Sequence, residues 1–190
     1  MSKITLKGGA LLAPVPPVMV SCSDGEKDNI ITVAWTGMLA TSPATTYISV
    51  RPSRHSYEMI KKSGEFVINL TTRELTKAAD YCGIYTGAKV DKFEKCKLTK
   101  EKASKVSCPM IAESPLSVEC KVREIIQMGS HDVFVSDIVA VNVRDDILDE
   151  SGRICMEKAF LTAYAHGEYF ALGHSLGKFG FSATKKRKRR

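Results

Sequence analysis

The chain has 190 residues, 44% of them hydrophobic and 26% charged, which is enough for one domain of ordinary size with a substantial core. With 13 glycines and 7 prolines, that composition excludes collagen-like, coiled-coil and wholly disordered chains. The net charge of +7 would point to a nucleic-acid partner, but six of the seven charges are the final "KKRKRR" (Lys185 to Arg190), so the rest of the chain carries +1, which is not the footprint of a protein that tracks phosphates along a groove.

In chain order, β-branched content and alternation predict strands at Val15 to Ser21, Asn29 to Ala40 and Thr45 to Arg51. A helix follows from about Ser53 to Lys62, with Tyr57 and Ile60 spaced by three and Gly64 placed to stop it. Glu65 to Leu70 reads as a strand. Thr71 and Glu74 have the spacing of a capping box and open a second helix that ends near Gly83. The lysine-rich stretch from Gly87 to Ala103 reads as loop with a short turn.

Leu116 to Met128 and Val133 to Val143 flank "GSHD", whose residues suit a turn, so these two strands are expected to form an antiparallel hairpin. Ala159 to His166 is the last expected strand. Long antiparallel pairs with short helices predict a mainly β fold, a barrel or sandwich decorated by helices, in preference to βαβ units. One domain is expected over residues 1–184, with 185–190 as a basic tail. That tail reads first as a solvated terminus, and otherwise as a contact for anionic surfaces or a nuclear signal.

The six cysteines, at 22, 82, 96, 108, 120 and 155, are never closer than twelve residues and form no C-x-x-C, so a zinc site of the usual spacing is unsupported. No apolar segment is long enough to span a bilayer and the N-terminus shows no convincing cleavage pattern. A reduced, cytoplasmic protein with mostly buried thiols is expected. No G-x-G-x-x-G follows a strand and no G-x-x-x-x-G-K-[ST] occurs, so neither a Rossmann nor a P-loop nucleotide site is signalled.

Three places could carry chemistry. In "RPSRHS", Arg51 to Ser56, a strand exit, Pro52 and a helix start bring free N–H groups together with two arginines and two serines, a combination that suits a phosphate monoester; the alternative is Ser53 as a plain N-cap with solvated arginines. Trp35, the only tryptophan, lies in "AWTGM" beside Gly37 and is either a core residue or an aromatic platform. His131 sits in the predicted turn and His166 ends a strand, with no metal-ligand spacing around either. Lys92 reads as a solvated loop lysine. No Ser-His-Asp order or nucleophile elbow is present.

Taken together, "NIITVAWTG" running to "TSP", "ISVRPSRHSYEMIKKSGEFVINL", "ELTKAADYCG" with "YTGAKVDKFEK", "GSHDVFVSDI" and "YAHGEYFALGHSLGKFGFS" resemble the flavin reductase-like, FMN-binding split-barrel family, in particular its flavoredoxin branch. The resemblance covers nearly the whole chain. It implies an antiparallel split β-barrel that forms a homodimer with one FMN per subunit near the interface. It places Asn29, Trp35 and Thr36 beside the flavin and the backbone of Thr36, Gly37 and Met38 at the ring edge. Arg51, Ser53, Arg54 and Ser56 would hold the phosphate, and Lys92, His131 and Tyr164 would lie near the ring. Ser56 stands where the family often has threonine, and Tyr164 where it often has phenylalanine.

The implied function is an FMN redox protein that exchanges electrons with a protein partner. The alternative is an NADH- or NADPH-dependent flavin or ferric reductase, with Lys92 and His131 as candidates for stabilising reduced flavin or receiving nicotinamide. A third reading is a non-redox binding module whose basic tail takes nucleic acid.

Overall fold

The computed structural model describes residues 1–183, so the "KKRKRR" tail lies outside the described residues. The described residues form eleven strands and three α-helices: β1 Val18–Ser23, β2 Asp28–Val33, β3 Thr36–Thr41, β4 Ala44–Val50, α1 His55–Ser63, β5 Glu65–Asn69, α2 Thr76–Ile84, α3 Lys92–Cys96, β6 Lys100–Glu101, β7 Met110–Ile111, β8 Leu116–Gln127, β9 Asp132–Val143, β10 Thr162–Ala165 and β11 Glu168–Ala171. Seven strands form one antiparallel sheet in the order β2-β1-β5-β8-β9-β4-β3.

The two ends of that order, β2 and β3, are consecutive in the chain and joined only by Ala34 and Trp35. Two residues span at most about 7 Å of extended chain, so the sheet must curl until its ends approach. The result is a barrel with a seam, the split barrel that the resemblance implies. The single strand expected over Asn29 to Ala40 is therefore two strands. Alternation did not reveal the break because Ala34 and Trp35 carry no glycine or proline to mark it.

Side-chain alternation on β1 feeds two cores. Val18, Val20 and Cys22 face the barrel with Ile48, Val50, Phe66, Cys120 and Phe134. Met19 faces outward and packs with Ile30 under α2 and α3, against Leu75, Ala79, Cys82 and Phe93. Helix α1 plugs the barrel through Tyr57, Met59 and Ile60, and burial of Ile60 alone contributes roughly 1.5–3 kcal/mol. Gly64, at φ 68°, ends α1 by donating its N–H to the Ile60 carbonyl at 2.8 Å.

The β8–β9 hairpin forms as expected, Gln127 opposite Asp132 and Leu116 opposite Val143. Two expectations change. The expected capping box does not form: α2 follows Leu75 with no side-chain cap, Thr72 Oγ1 accepts from Leu75 N–H at 3.3 Å in the turn just before it, and Thr71 extends the β10 pairing through its carbonyl. The Gly87–Ala103 stretch holds α3, opened by the Asp91 carboxylate accepting from Glu94 N–H at 3.1 Å. Cys22, Cys82, Cys108 and Cys120 are buried, and burial pushes the Cys22, Cys82 and Cys120 thiols up to about 12.

Candidate functional site: an anion end and an aromatic trough on the barrel seam

Polar contacts tie the link and β3, on one side of the seam, to β4. The Trp35 carbonyl accepts from Ser49 N–H at 2.9 Å, Thr36 Oγ1 donates to the Tyr47 carbonyl at 2.5 Å, and Thr46 Oγ1 donates to the Gly37 carbonyl at 2.9 Å. Three clefts of about 150, 260 and 320 Å³ meet at Ala34. The first lies between β2 and the β4 exit and is lined by Val33, Trp35, Ser49, Arg51, Arg54 and His131. The second passes Thr32 to Asp80, Tyr164 and Tyr169. The third is more apolar, between Leu12, Val15, Trp35, Thr36 and Tyr47.

One end of this trough is cationic. Arg51 and Arg54 stand at the β4 exit just before α1, and no side chain caps the helix start. Among the described residues, none of the ion pairs involves either arginine. Two unpaired guanidiniums beside the positive end of a helix are a receptor for a doubly charged anion. Ser53 is exposed and caps nothing, so the N-cap half of that alternative does not hold, while Arg51 and Arg54 are both exposed as its other half expects.

The turn between β8 and β9 delivers His131 to the same place. Its ring centroid lies 4.6 Å from that of Trp35, tilted by 44°, and Ser130 Oγ sits 2.9 Å from His131 Nδ1. Burial first, and then the Arg51 and Arg54 guanidiniums, hold the imidazole below its ordinary pKa. His131 lies in the turn the sequence predicts, with its ring packed on Trp35. Trp35 in turn is 44% exposed and is no core residue: its position in the seam link turns it out of the barrel.

A second group lies behind this end. Asn29 Nδ2 donates to Ser56 Oγ at 2.8 Å, both residues buried. A Cβ on Gly87 would come within 2.2 Å of Asn29 Oδ1, so only glycine fits against that amide. Lys92 is 3% exposed, contrary to its reading as a solvated loop lysine. Its Nζ donates to the carbonyls of Ile30 at 2.6 Å and Cys82 at 2.8 Å, and burial lowers its pKa. Helix α3, which the loop reading missed, turns Lys92 inward.

The structure thus brings Trp35, Arg51, Arg54 and His131 together on one cleft, with Asn29 and Ser56 as a buried pair. Tyr164 lies along the neighbouring cleft, with its ring 5.3 Å from Tyr169. Thr36 lines the third cleft, Gly37 packs on the Tyr47 ring and Met38 is exposed. Sequence reasoning missed Ala34, the shared floor, together with Ser49, Tyr47, Asp80 and Tyr169. Their only common signal is position at a strand end or seam, which needs the sheet order to be seen. The donor set fits FMN: cations and helix N–H groups for a phosphate dianion at one end, aromatic and apolar faces for a flat ring system along the trough.

Comparison with known proteins agrees with this chemistry. An uncharacterized protein of Archaeoglobus fulgidus is 33% identical over 150 residues, which is 79% of this chain and 84% of that protein. A ferric-chelate reductase (NAD(P)H) of the same organism is 25% identical over 57% of this chain and 63% of its own length. Among solved structures, the flavoredoxin of Desulfovibrio vulgaris (Miyazaki F) superposes with a TM-score of 0.90 at 30% identity, covering 96% of this chain and all of that one. Residues 12–173 match the sequence profile of the flavin reductase like domain, and the chain belongs to that family.

Proposed function

We propose that the chain is an FMN-binding redox protein of the flavoredoxin kind. The observation that carries this reading is the pair of unpaired arginines at an uncapped helix start, opening onto a trough floored by Ala34 and flanked by Trp35. Arg51 and Arg54 neutralise the phosphate dianion, and the exposed Ser53 hydroxyl adds a donor. The Asn29–Ser56 pair sets the floor under the arginine turn. Trp35 on one side and Tyr164 on the other shield the ring, while Thr36, Gly37 and Met38 offer backbone groups along its edge.

Bound there, FMN supplies acceptance of two electrons and their return singly or in pairs, with the protein providing position and electrostatics. His131, with its pKa depressed, is mostly neutral at pH 7, so it serves as a hydrogen-bonding and packing group and not as a fixed cation. The Lys92 charge is spent on two carbonyls, so this residue fastens α3 to β2 beneath the site. The two-band visible spectrum of oxidised flavin in the purified protein, or its appearance on FMN titration, tests the reading. A colourless protein that takes up no FMN removes it.

A second reading is favoured by the ferric-chelate reductase relative: NADH or NADPH reduces the flavin, and free flavin or a ferric chelate takes the electrons. Steady-state oxidation of each nucleotide, with FMN or a ferric chelate as acceptor, separates this from a carrier that needs a protein partner. Further support concerns assembly and compartment. Trp35, Met38, Leu39, Leu11 and Leu12 are exposed around the seam, an apolar border that a homodimer would cover. Four buried thiols with no disulfide suit a reducing cytoplasm.

A further inference from the structure

One buried contact ties the two halves of the anion end together. Tyr57 lies in the first turn of α1, and its N–H donates to the Arg54 carbonyl at 2.9 Å, so the backbone that carries its ring is tied to Arg54. Asp132 follows His131 directly and opens β9, pinned by pairing with Val50 of β4 and Gln127 of β8. Tyr57 Oη donates to Asp132 Oδ2 at 2.5 Å, both residues being 5% exposed. The tyrosine ring is fixed by Phe134, edge-on at 5.3 Å, and is covered by Lys61, whose Nζ lies 5.7 Å from its centroid.

Among the described residues no lysine, arginine or histidine pairs with Asp132. A buried carboxylate without a counter-ion is costly, and two apolar side chains of similar shape would hold the barrel as well. What the pair adds is a defined distance. We propose that Tyr57 and Asp132 are positioning residues: their hydrogen bond is a strut that sets the spacing between the Arg51–Arg54 turn and His131, and with it the geometry that receives the flavin phosphate and ring. The inference rests on the FMN reading of the site. The Asp132 carboxylate beside it, followed by burial, pushes the Tyr57 hydroxyl up to about 12, so the strut keeps its proton throughout the neutral range.

The readout is His131, which feels the strut through its neighbours. The groups facing it are Arg51 and Arg54 from the turn before α1, Ser130 from its own turn, and the Trp35 ring. Cutting the strut lets the arginine turn relax away, and the His131 pKa rises toward its ordinary value. The experiment is an NMR titration of His131 in the full-length chain without added flavin, for wild type, Tyr57→Phe, Asp132→Asn and the double variant Tyr57→Phe with Asp132→Leu, followed by FMN titration of each.

Tyr57→Phe is expected to raise the His131 pKa and to weaken FMN roughly tenfold or more, the scale of a lost hydrogen bond to a charged acceptor. Asp132→Asn, which keeps an acceptor for the tyrosine, shows smaller shifts in both than Tyr57→Phe. The double variant removes both polar groups together, so it keeps a stable barrel even if Tyr57→Phe alone does not fold, and it shows the same rise and the same weakening. A folded double variant with wild-type His131 titration and wild-type FMN affinity overturns the strut. Should wild type bind no FMN, the function reading fails on its own, and the His131 titration still decides the strut.

Discussion

Two places in this molecule are built to receive negative charge, and they differ in who supplies it. Around residues 104–106 the chain supplies its own: the Glu119 carboxylate, fully buried, accepts from the N–H groups of Ser104, Lys105 and Val106, from Ser104 Oγ and from Asn142 Nδ2, at 2.6 to 3.1 Å. At the arginine turn, by contrast, neither guanidinium has an ion-pair partner among the described residues and no side chain caps the helix start, whose first turn holds Glu58. A polar nest that is filled from within is structure; one left open to the trough is a candidate site. The difference predicts opposite phenotypes for mutations that look alike on paper.

The sharpest break is at the open nest. Replacing Arg51 and Arg54 together by alanine removes two charge-assisted contacts and should weaken FMN roughly 100-fold or more, while leaving thermal stability within about 0.5 kcal/mol, because both side chains are exposed. Titration calorimetry beside a melting curve reads both. Unchanged FMN affinity would sink the assignment of this end even with the family established.

The filled nest should behave in reverse. In Glu119→Gln an NH₂ group faces backbone donors that need an acceptor, so urea unfolding should show a loss of about 2–4 kcal/mol, with FMN affinity unaltered. The same carboxyl sets an acid limit. Burial alone would raise it, but the bonds from Ser104, Asn142 and Lys105 outweigh that and hold it at about 2, against 4.5 ordinarily. A folded pKa below the unfolded one means the stabilisation is complete above about pH 4.5 and is lost as pH falls toward 2. Urea midpoints measured across that range should drop for wild type and stay flatter for the glutamine variant; parallel curves would assign the acid sensitivity elsewhere.

Smaller effects grade the trough. Trp35→Ala removes one aromatic face and should weaken flavin by about 3- to 10-fold, which a fluorescence titration can follow. Ser53→Ala, at an exposed position that caps nothing, should change affinity by less than about threefold and stability hardly at all. A large stability loss there would mean that the helix start is capped after all.

Much of this was legible in the order of residues. Strand alternation gave most of β1, β4, β5, β8 and β9, and Gly64 marked the end of α1, because each reports a local rule of pleat or backbone conformation. The cationic turn at the β4 exit was readable from Arg51, Pro52 and Arg54 for the same reason. What stayed hidden depends on contacts distant in the chain. Lys92 looked solvated until α3 turned it onto the Ile30 and Cys82 carbonyls. Trp35 looked like core until the strand it sat in divided at the seam. Asp132 and Tyr57, 75 positions apart, have no local signature, and Glu119 reads as one more polar strand residue until the loop over it is in place.

The seam has a thermodynamic consequence. The first cleft touches β2 on one side and the β4 exit on the other; β2 is one end of the sheet order and β4 the neighbour of the other end, β3. Any molecule seated there fastens the two ends of the sheet to each other, and it does so only when the barrel is closed. Ligand and barrel closure are then one linked equilibrium: at a free concentration 100 times its dissociation constant, flavin adds about 2.7 kcal/mol to apparent stability. The midpoint of unfolding becomes a gauge of flavin supply, and a chain starved of cofactor would open first along the line between Val33 and Thr36.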